Sequence, residues 1–133
     1  MLPLVCIDVD GTLIGSSGVP SENVLAAISE SKKKGQRLAL STARGAMGPA
    51  FEYAKILDPA GWHIFHAGGA LVNTGGEPTR KYPIPSDVLE TCTRVALEHD
   101  WALELYWENN YRAFRDSDFV RRHADMLGVE QRL

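Results

Sequence analysis

The run Leu2-Pro3-Leu4-Val5-Cys6-Ile7 is apolar throughout and stops abruptly at Asp8-Val9-Asp10-Gly11-Thr12-Leu13. It is far shorter than the roughly 20 residues a membrane span needs. It also lacks the basic lead and small-residue cleavage site of a signal peptide. Without polar alternation it reads as a strand covered on both faces, the pattern of parallel sheets. A parallel neighbour requires a crossover connection, usually a helix. The feature therefore asks for strands and helices in alternation.

The chain supplies them. Ser21 can cap a helix carrying the stripe Val24, Leu25 and Ile28, which ends in Lys32-Lys33-Lys34-Gly35. Leu38-Ala39-Leu40 is a second buried strand, and residues 50–57 form a helix stopped by Asp58-Pro59. Trp62 to Phe65 is a third strand, leading into His66-Ala67-Gly68-Gly69-Ala70. This order predicts parallel βαβ units with right-handed crossovers.

After Ala70 the pattern changes. Leu71-Val72 and Arg80-Lys81-Tyr82 flank a Gly-containing loop, as in a hairpin, and Pro83-Ile84-Pro85 is a stiff connector. Residues 86–99 fit a helix with Ser86 as N-cap and Val88, Leu89, Cys92, Val95, Ala96 and His99 on one face. Trp101, Leu103, Leu105 and Trp107 alternate with Ala102, Glu104 and Tyr106, which predicts a half-buried strand with the tryptophans inward. A turn at Asn109-Asn110 lets Tyr111 to Phe114 pair back, and Asp116 or Ser117 caps a helix through Met126. The expected division is residues 1–82 and 83–133, with the boundary at the proline connector.

A net charge of −3 offers no basic field for nucleic acid and nothing to recruit an acidic membrane surface. Cys6 and Cys92 lack metal-ligand spacing, and Cys6 is expected to be a buried free thiol. Cysteine use of this kind suits a reducing compartment, the cytoplasm.

Asp8 and Asp10 lie two residues apart at a strand end, so both carboxylates project to one side. Ligands of open parallel sheets bind beyond that end of the strands. Two close carboxylates require a cation or a shared proton, and hard oxygen donors suit Mg²⁺. A calcium loop is excluded, because its sixth and twelfth positions would be Leu13 and Val19. Gly11 permits close backbone approach and Thr12 adds a hydroxyl and an N–H. His63 and His66 have no partner spacing for a metal and are expected to pack or face solvent.

With these residues in view, the segment Asp8-Val9-Asp10-Gly11-Thr12-Leu13 resembles the first motif of haloacid-dehalogenase-superfamily phosphatases. The resemblance implies that Asp8 attacks phosphorus and that Asp10 is the proton-transfer group. It also implies that Mg²⁺ is held by the Asp8 carboxylate and the Asp10 main-chain carbonyl. Ser41-Thr42-Ala43-Arg44 is similar to the second motif, where Thr42, with Ser41 as the competing choice, binds the phosphoryl group beside Ala43, and Arg44 either sits near the phosphate or makes a salt bridge. Here Ala43 replaces the usual Gly. Gly69-Ala70 fits the Asn-Gly-Ala of the Cof-like subgroup, with Gly68 in place of Asn. The turn either presents backbone N–H groups, Gly69 among them, to an anion or is simply tight.

The implied fold is α/β, a Rossmann-like parallel sheet forming the first part of the family core, followed by the first part of a C2-type α+β cap. Trp107, Asn109 and Tyr111 are candidate substrate contacts in that cap. The family's phosphoaspartate-binding Lys and its second acidic motif have no counterpart: Lys55 and Lys81 fall in the wrong order, and Asp116-Ser117-Asp118 lacks the preceding buried strand. The expectation is thus the N-terminal part of a Mg²⁺-dependent phosphatase of small phosphorylated metabolites, truncated within the cap and inactive alone. Exposed cap edges could pair two copies. The alternatives are a non-catalytic or partner-dependent fragment that binds metal or phosphate, and a phosphomutase-like relative.

Overall fold

The computed structural model describes residues 4–107 and 110–130. The chain is α/β. Strand β1 (Leu4–Ile7) pairs in parallel with β2 (Arg37–Leu40), with Ile7 opposite Leu40. Helix α1 (Glu22–Lys33) crosses between them. It starts where the Ser21 hydroxyl accepts the Val24 N–H and ends at Gly35, whose φ of +79° suits a residue without a Cβ. Helix α2 (Gly48–Leu57) follows β2, beginning two residues earlier than expected because Pro49 fits its first turn. Lys32 Nζ donates to the Ile56 carbonyl and ties the two helices together.

Strand β3 (Trp62–Phe65) runs alongside β2 but joins it by one parallel bridge, Ser41 to Ile64, rather than by a full ladder. The cause is His63, which is fully buried. Its Nδ1 accepts the Leu40 N–H at 3.0 Å, so an imidazole replaces a strand carbonyl. The expected third parallel strand is instead chiefly the partner of β4 (Ala70–Asn73), antiparallel to it, and β5 (Arg80–Lys81) extends that sheet.

Val9, Leu13, Leu40, Ala54, Leu57 and Phe65 lie at the centre of the first apolar core. Strand β1 departs from expectation. Leu4 is 52% exposed and Val5 39%, and Cys6 is an exposed thiol, because only one edge of the strand is paired and its faces are open.

Helix α3 (Ser86–Glu98) has Pro85, not Ser86, at its cap position. Ala96 is its one buried residue, and Cys92 is exposed like Cys6. Strands β6 (Glu104–Trp107) and β7 (Asn110–Ala113) form an antiparallel hairpin. Its inward face inverts the expected one: Tyr106 and Tyr111 pair across it, while Trp101 and Trp107 are exposed. The reason is α4 (Asp118–Leu127), which brings Val120, Ala124 and Leu127 against Tyr111 and Ala113. Ser117 caps α4 by accepting the Val120 N–H at 3.2 Å. No helix among the described residues is long and apolar enough to cross a membrane.

Candidate functional site

Three loops meet beyond the carboxyl ends of β1, β2 and β3. The first closes on itself: Leu13 N–H donates to the Asp8 carbonyl at 3.1 Å, Ile14 N–H to Val9 at 3.0 Å, and Gly11 N–H to Ile14 at 3.0 Å. Val9, Leu13 and Ile14 are buried, so they anchor the loop in the core. Asp8, Asp10, Gly11 and Thr12 are left exposed. Gly11 has a φ of +76°, left-handed backbone that a side chain would strain. The Thr12 N–H is engaged with the Val9 carbonyl at 3.3 Å. What this segment offers a ligand is therefore its exposed side chains rather than a nest of N–H groups.

The second loop lies beside the first. Ser41 N–H donates to Ile7 at 2.9 Å, continuing the ladder past β1. Thr42 is buried at 4% exposure, and its hydroxyl accepts the Arg44 N–H at 3.2 Å, a local turn contact. Ala43 faces solvent. Arg44 is buried and forms a bidentate pair with Asp10: Nε to Oδ2 at 2.9 Å and Nη2 to Oδ1 at 2.7 Å. That contact holds the Asp10 carboxyl below the usual carboxylate range, chiefly through the hydrogen bond from Arg44. The guanidinium is thus turned to a carboxylate, the salt bridge that was one of the two readings open for Arg44.

The third loop clamps the second. His66 N–H donates to the Arg44 carbonyl at 3.0 Å and Ala67 N–H to Thr42 at 3.1 Å. Gly69 N–H donates to His66 at 3.0 Å, which fits the tight-turn reading of this segment rather than N–H groups presented to an anion. His66, Ala67 and Gly68 have φ of +53°, +52° and +101°, and two of them are not glycine. Left-handed backbone costs an L-residue about 1–2 kcal/mol, so the clamp is held under strain.

Of the residues expected in the second half, Tyr111 is 2% exposed and its hydroxyl donates to Glu104 at 2.6 Å. It belongs to the hairpin interior. Trp107 is exposed, and Asn109 lies outside the described residues. Tyr106 reaches the third loop, with its ring 5.7 Å from that of His66. Burial, with Glu104 nearby, raises its hydroxyl to about 12.

Sequence reasoning expected His63 to pack or face solvent, and it is buried, but its pairing with the Leu40 N–H joins distant residues and leaves no local pattern. It missed that Arg44 Nη1 reaches the Met126 carbonyl of α4 at 3.4 Å. Gly128 after α4 was the available signal that this helix ends in a tight approach.

A sequence model of haloacid dehalogenase-like hydrolases matches residues 5–131. Among solved structures, the chain is similar to a haloacid dehalogenase-like hydrolase from Bacteroides thetaiotaomicron. That match has 19% identity and a TM-score of 0.81, and covers 99% of this chain and 51% of the other. It is similar to a haloacid-dehalogenase subclass IIB sugar phosphatase at 19% identity and TM-score 0.80, covering 96% and 50%. A haloacid dehalogenase-like hydrolase from B. subtilis matches at 20% identity and TM-score 0.73, covering 92% and 41%. The chain therefore spans about half the length of the structures it matches. No curated protein sequence matches it.

Proposed function

The chain belongs to the haloacid dehalogenase-like hydrolases, and from that premise we propose that it carries the nucleophile and proton-transfer half of a Mg²⁺-dependent phosphatase acting on small phosphorylated metabolites in the cytoplasm. The observation that supports this reading best is the self-closed loop that holds Asp8 and Asp10 outward beyond a parallel strand pair. We take residues 1–82 as the first part of the catalytic core and residues 83–133 as the first part of the cap.

In this reading an Asp8 oxygen attacks phosphorus, and the bond from phosphorus to the ester oxygen breaks. The leaving oxygen takes the electron pair and a proton from Asp10, leaving an aspartyl-phosphate on Asp8. Asp10, now a carboxylate, accepts a proton from water as that water attacks phosphorus; the bond from phosphorus to the Asp8 oxygen breaks, inorganic phosphate leaves, and Asp8 is regenerated. The Arg44 pair favours the carboxylate form of Asp10, so the arrangement described suits the second step. For the first, Asp10 must be protonated and the pair loosened.

The donor set fits a hard cation in part. Asp8 supplies an exposed carboxylate, while the Asp10 carboxylate is engaged with Arg44, which leaves the main-chain oxygen of Asp10 as its contribution. Mg²⁺ commonly takes one or two carboxylates and completes its shell with water and phosphate oxygens. When bound, it would offset the repulsion between phosphate and Asp8.

The test is turnover of an aryl phosphate with Mg²⁺, together with mass-spectrometric detection of phosphate on Asp8. Asp8→Asn is expected to abolish both, and undiminished turnover in that variant removes Asp8 as nucleophile. One observation favours a second reading, a chain that binds phosphate or metal and completes its site with a partner, a second copy included. Among the described residues, no three His, Cys, Asp or Glu side chains converge as a metal site. Asp8-dependent turnover by the chain as a monomer would exclude that reading.

A further inference from the structure

Resting on the role of Asp10 above, we propose that Arg44 is a positioning residue that couples Asp10 to the seating of α4 against the first turn of α2. Its guanidinium is buried and fully divided. Nε and Nη2 hold the two Asp10 oxygens, and Nη1 donates to the Met126 carbonyl in the last turn of α4. One rigid fork therefore touches both the β1 loop and a helix of the second half. A lysine ammonium has neither the span nor the planar geometry to do so. The Arg44 backbone is fixed on both sides, by the Thr42 hydroxyl and by the His66 N–H, so only the side chain can swing.

The seat itself is an independent observation. At Gly48, with φ +53°, an added Cβ would lie 2.2 Å from the Leu127 carbonyl oxygen. At Gly128, with φ +67°, it would lie 2.9 Å from Pro49 Cδ. Gly48 meets the Leu127 backbone and Gly128 meets the Pro49 ring, so each glycine admits the other helix. The carbonyl end of α4 also faces the N–H end of α2, a favourable arrangement of helix dipoles.

When α4 is seated, Met126 fixes the third guanidinium nitrogen and thereby the plane in which Asp10 is held. When α4 lifts, the fork is free to turn and Asp10 loses its bidentate holder. Linkage makes the effect mutual: whatever frees Asp10 from Arg44 loosens α4 by the same factor.

The test uses the 133-residue chain and requires no turnover. Amide exchange of residues 124–129 is followed in the unaltered chain, Asp10→Ala, Arg44→Lys and the double variant. Asp10→Ala is expected to speed exchange roughly tenfold, the scale of one charge-assisted hydrogen bond. It should add nothing in the Arg44→Lys background. In the reverse direction, Gly48→Ala and Gly128→Ala unseat α4 from opposite sides. Each is expected to move the Asp10 side-chain carboxyl ¹³C resonance at fixed pH when Arg44 is present and to leave it still in Arg44→Lys.

An arginine with a merely structural role would not let Asp10 sense α4. Unchanged exchange in Asp10→Ala, equal effects in both backgrounds, or a still Asp10 resonance in Gly128→Ala with Arg44 native would each overturn the proposal. Coupling beside turnover that persists undiminished in Asp8→Asn would remove the reaction and keep the coupling. Turnover without coupling would remove the coupling alone.

Discussion

His63 and Glu104 sit at the centres of the two halves of the chain and are satisfied in opposite ways. His63 Nδ1 accepts a backbone N–H, from Leu40. Nε2 must then carry the ring proton, which it donates to the Asp58 carbonyl at 2.9 Å. Glu104, with its side chain 12% exposed, is met by side chains: the Tyr111 hydroxyl on one oxygen and His123 Nδ1 on the other at 2.5 Å. The first half fixes its polar centre with main chain that the fold already holds. The second relies on rotamers from β7 and α4 arriving together. The same contrast runs through the packing. Phe65 and Leu40 are fully buried in the first core, whereas α3 buries Ala96 and leaves Val88 and Leu97 exposed. A half held by backbone should stand up to side-chain loss in the other half, and the reverse should fail.

Phe65→Ala tests this hardest. Phe65 is 0% exposed at the point where β3 meets the third loop. Removing a buried phenylalanine costs about 3–5 kcal/mol, a large share of a domain's stability. Chemical denaturation with residue-resolved exchange should show both halves loosening, since the third loop that clamps Arg44 loses its anchor. Protected amides in β2 and β3 would break the comparison.

Tyr111→Phe is the matching change in the second half. It keeps the ring beside Tyr106 and removes the donor to Glu104, leaving a mostly buried carboxylate oxygen without its hydrogen. A hydrogen bond to a charged group is worth about 1.5–3 kcal/mol. Exchange should rise in β7 and α4 while β1 and β2 are unaffected. Equal loss in both halves would show that the chain unfolds as one unit.

The response to acid tests the first half alone, since His63 and Asp10 both belong to it. Burial lowers the His63 pKa from its ordinary 6.5, because a charged ring would lose its solvation and its ability to accept from Leu40. The folded chain keeps His63 neutral where the unfolded chain would bind a proton. Its contribution is therefore complete above pH 6.5 and lost as pH falls from 6.5 toward the folded value. One proton limits the slope to about 1.4 kcal/mol per pH unit. Asp10, also lowered, adds a loss that begins only below its ordinary 3.8. Below pH 6.5 and above 3.8, where His63 titrates and Asp10 does not, the pH dependence of thermal unfolding should flatten in His63→Gln, and an unchanged slope would remove His63 as its source.

What could be read from sequence was what is local. The Asp8–Leu13 loop, the Ser21 and Ser117 caps and the stop at Gly35 all follow from residues within a few positions of one another. The three strand-end loops could be placed for the same reason. The inward face of β6 could not. Trp101 and Trp107 are the more apolar choice, yet Glu104 faces inward because Tyr111 and His123, remote in sequence, supply its hydrogen bonds. The exposure of β1 was hidden likewise, since an apolar run states that a strand should be covered and not what covers it. Arg44 was recognised as a site residue, but its partners Asp10 and Met126 come from two other segments.

The two serine caps give the smallest and cleanest contrast. Ser21 and Ser117 each accept the N–H three residues on, at 3.3 and 3.2 Å. Replacing either by alanine should cost about 1 kcal/mol if the cap alone matters. The helices differ in what they carry. α1 buries only Ile28 and is tied to α2 by Lys32, so fraying its first turn disturbs little. α4 brings Val120 and Ala124 to the hairpin, and Val120, whose N–H the cap receives, is itself 0% exposed. Loosening that turn pulls a core residue with it. Ser117→Ala should therefore exceed Ser21→Ala in lost stability and should alone raise exchange at β7. Equal losses, with β7 unmoved, would mean that the hairpin holds α4 in place without its cap.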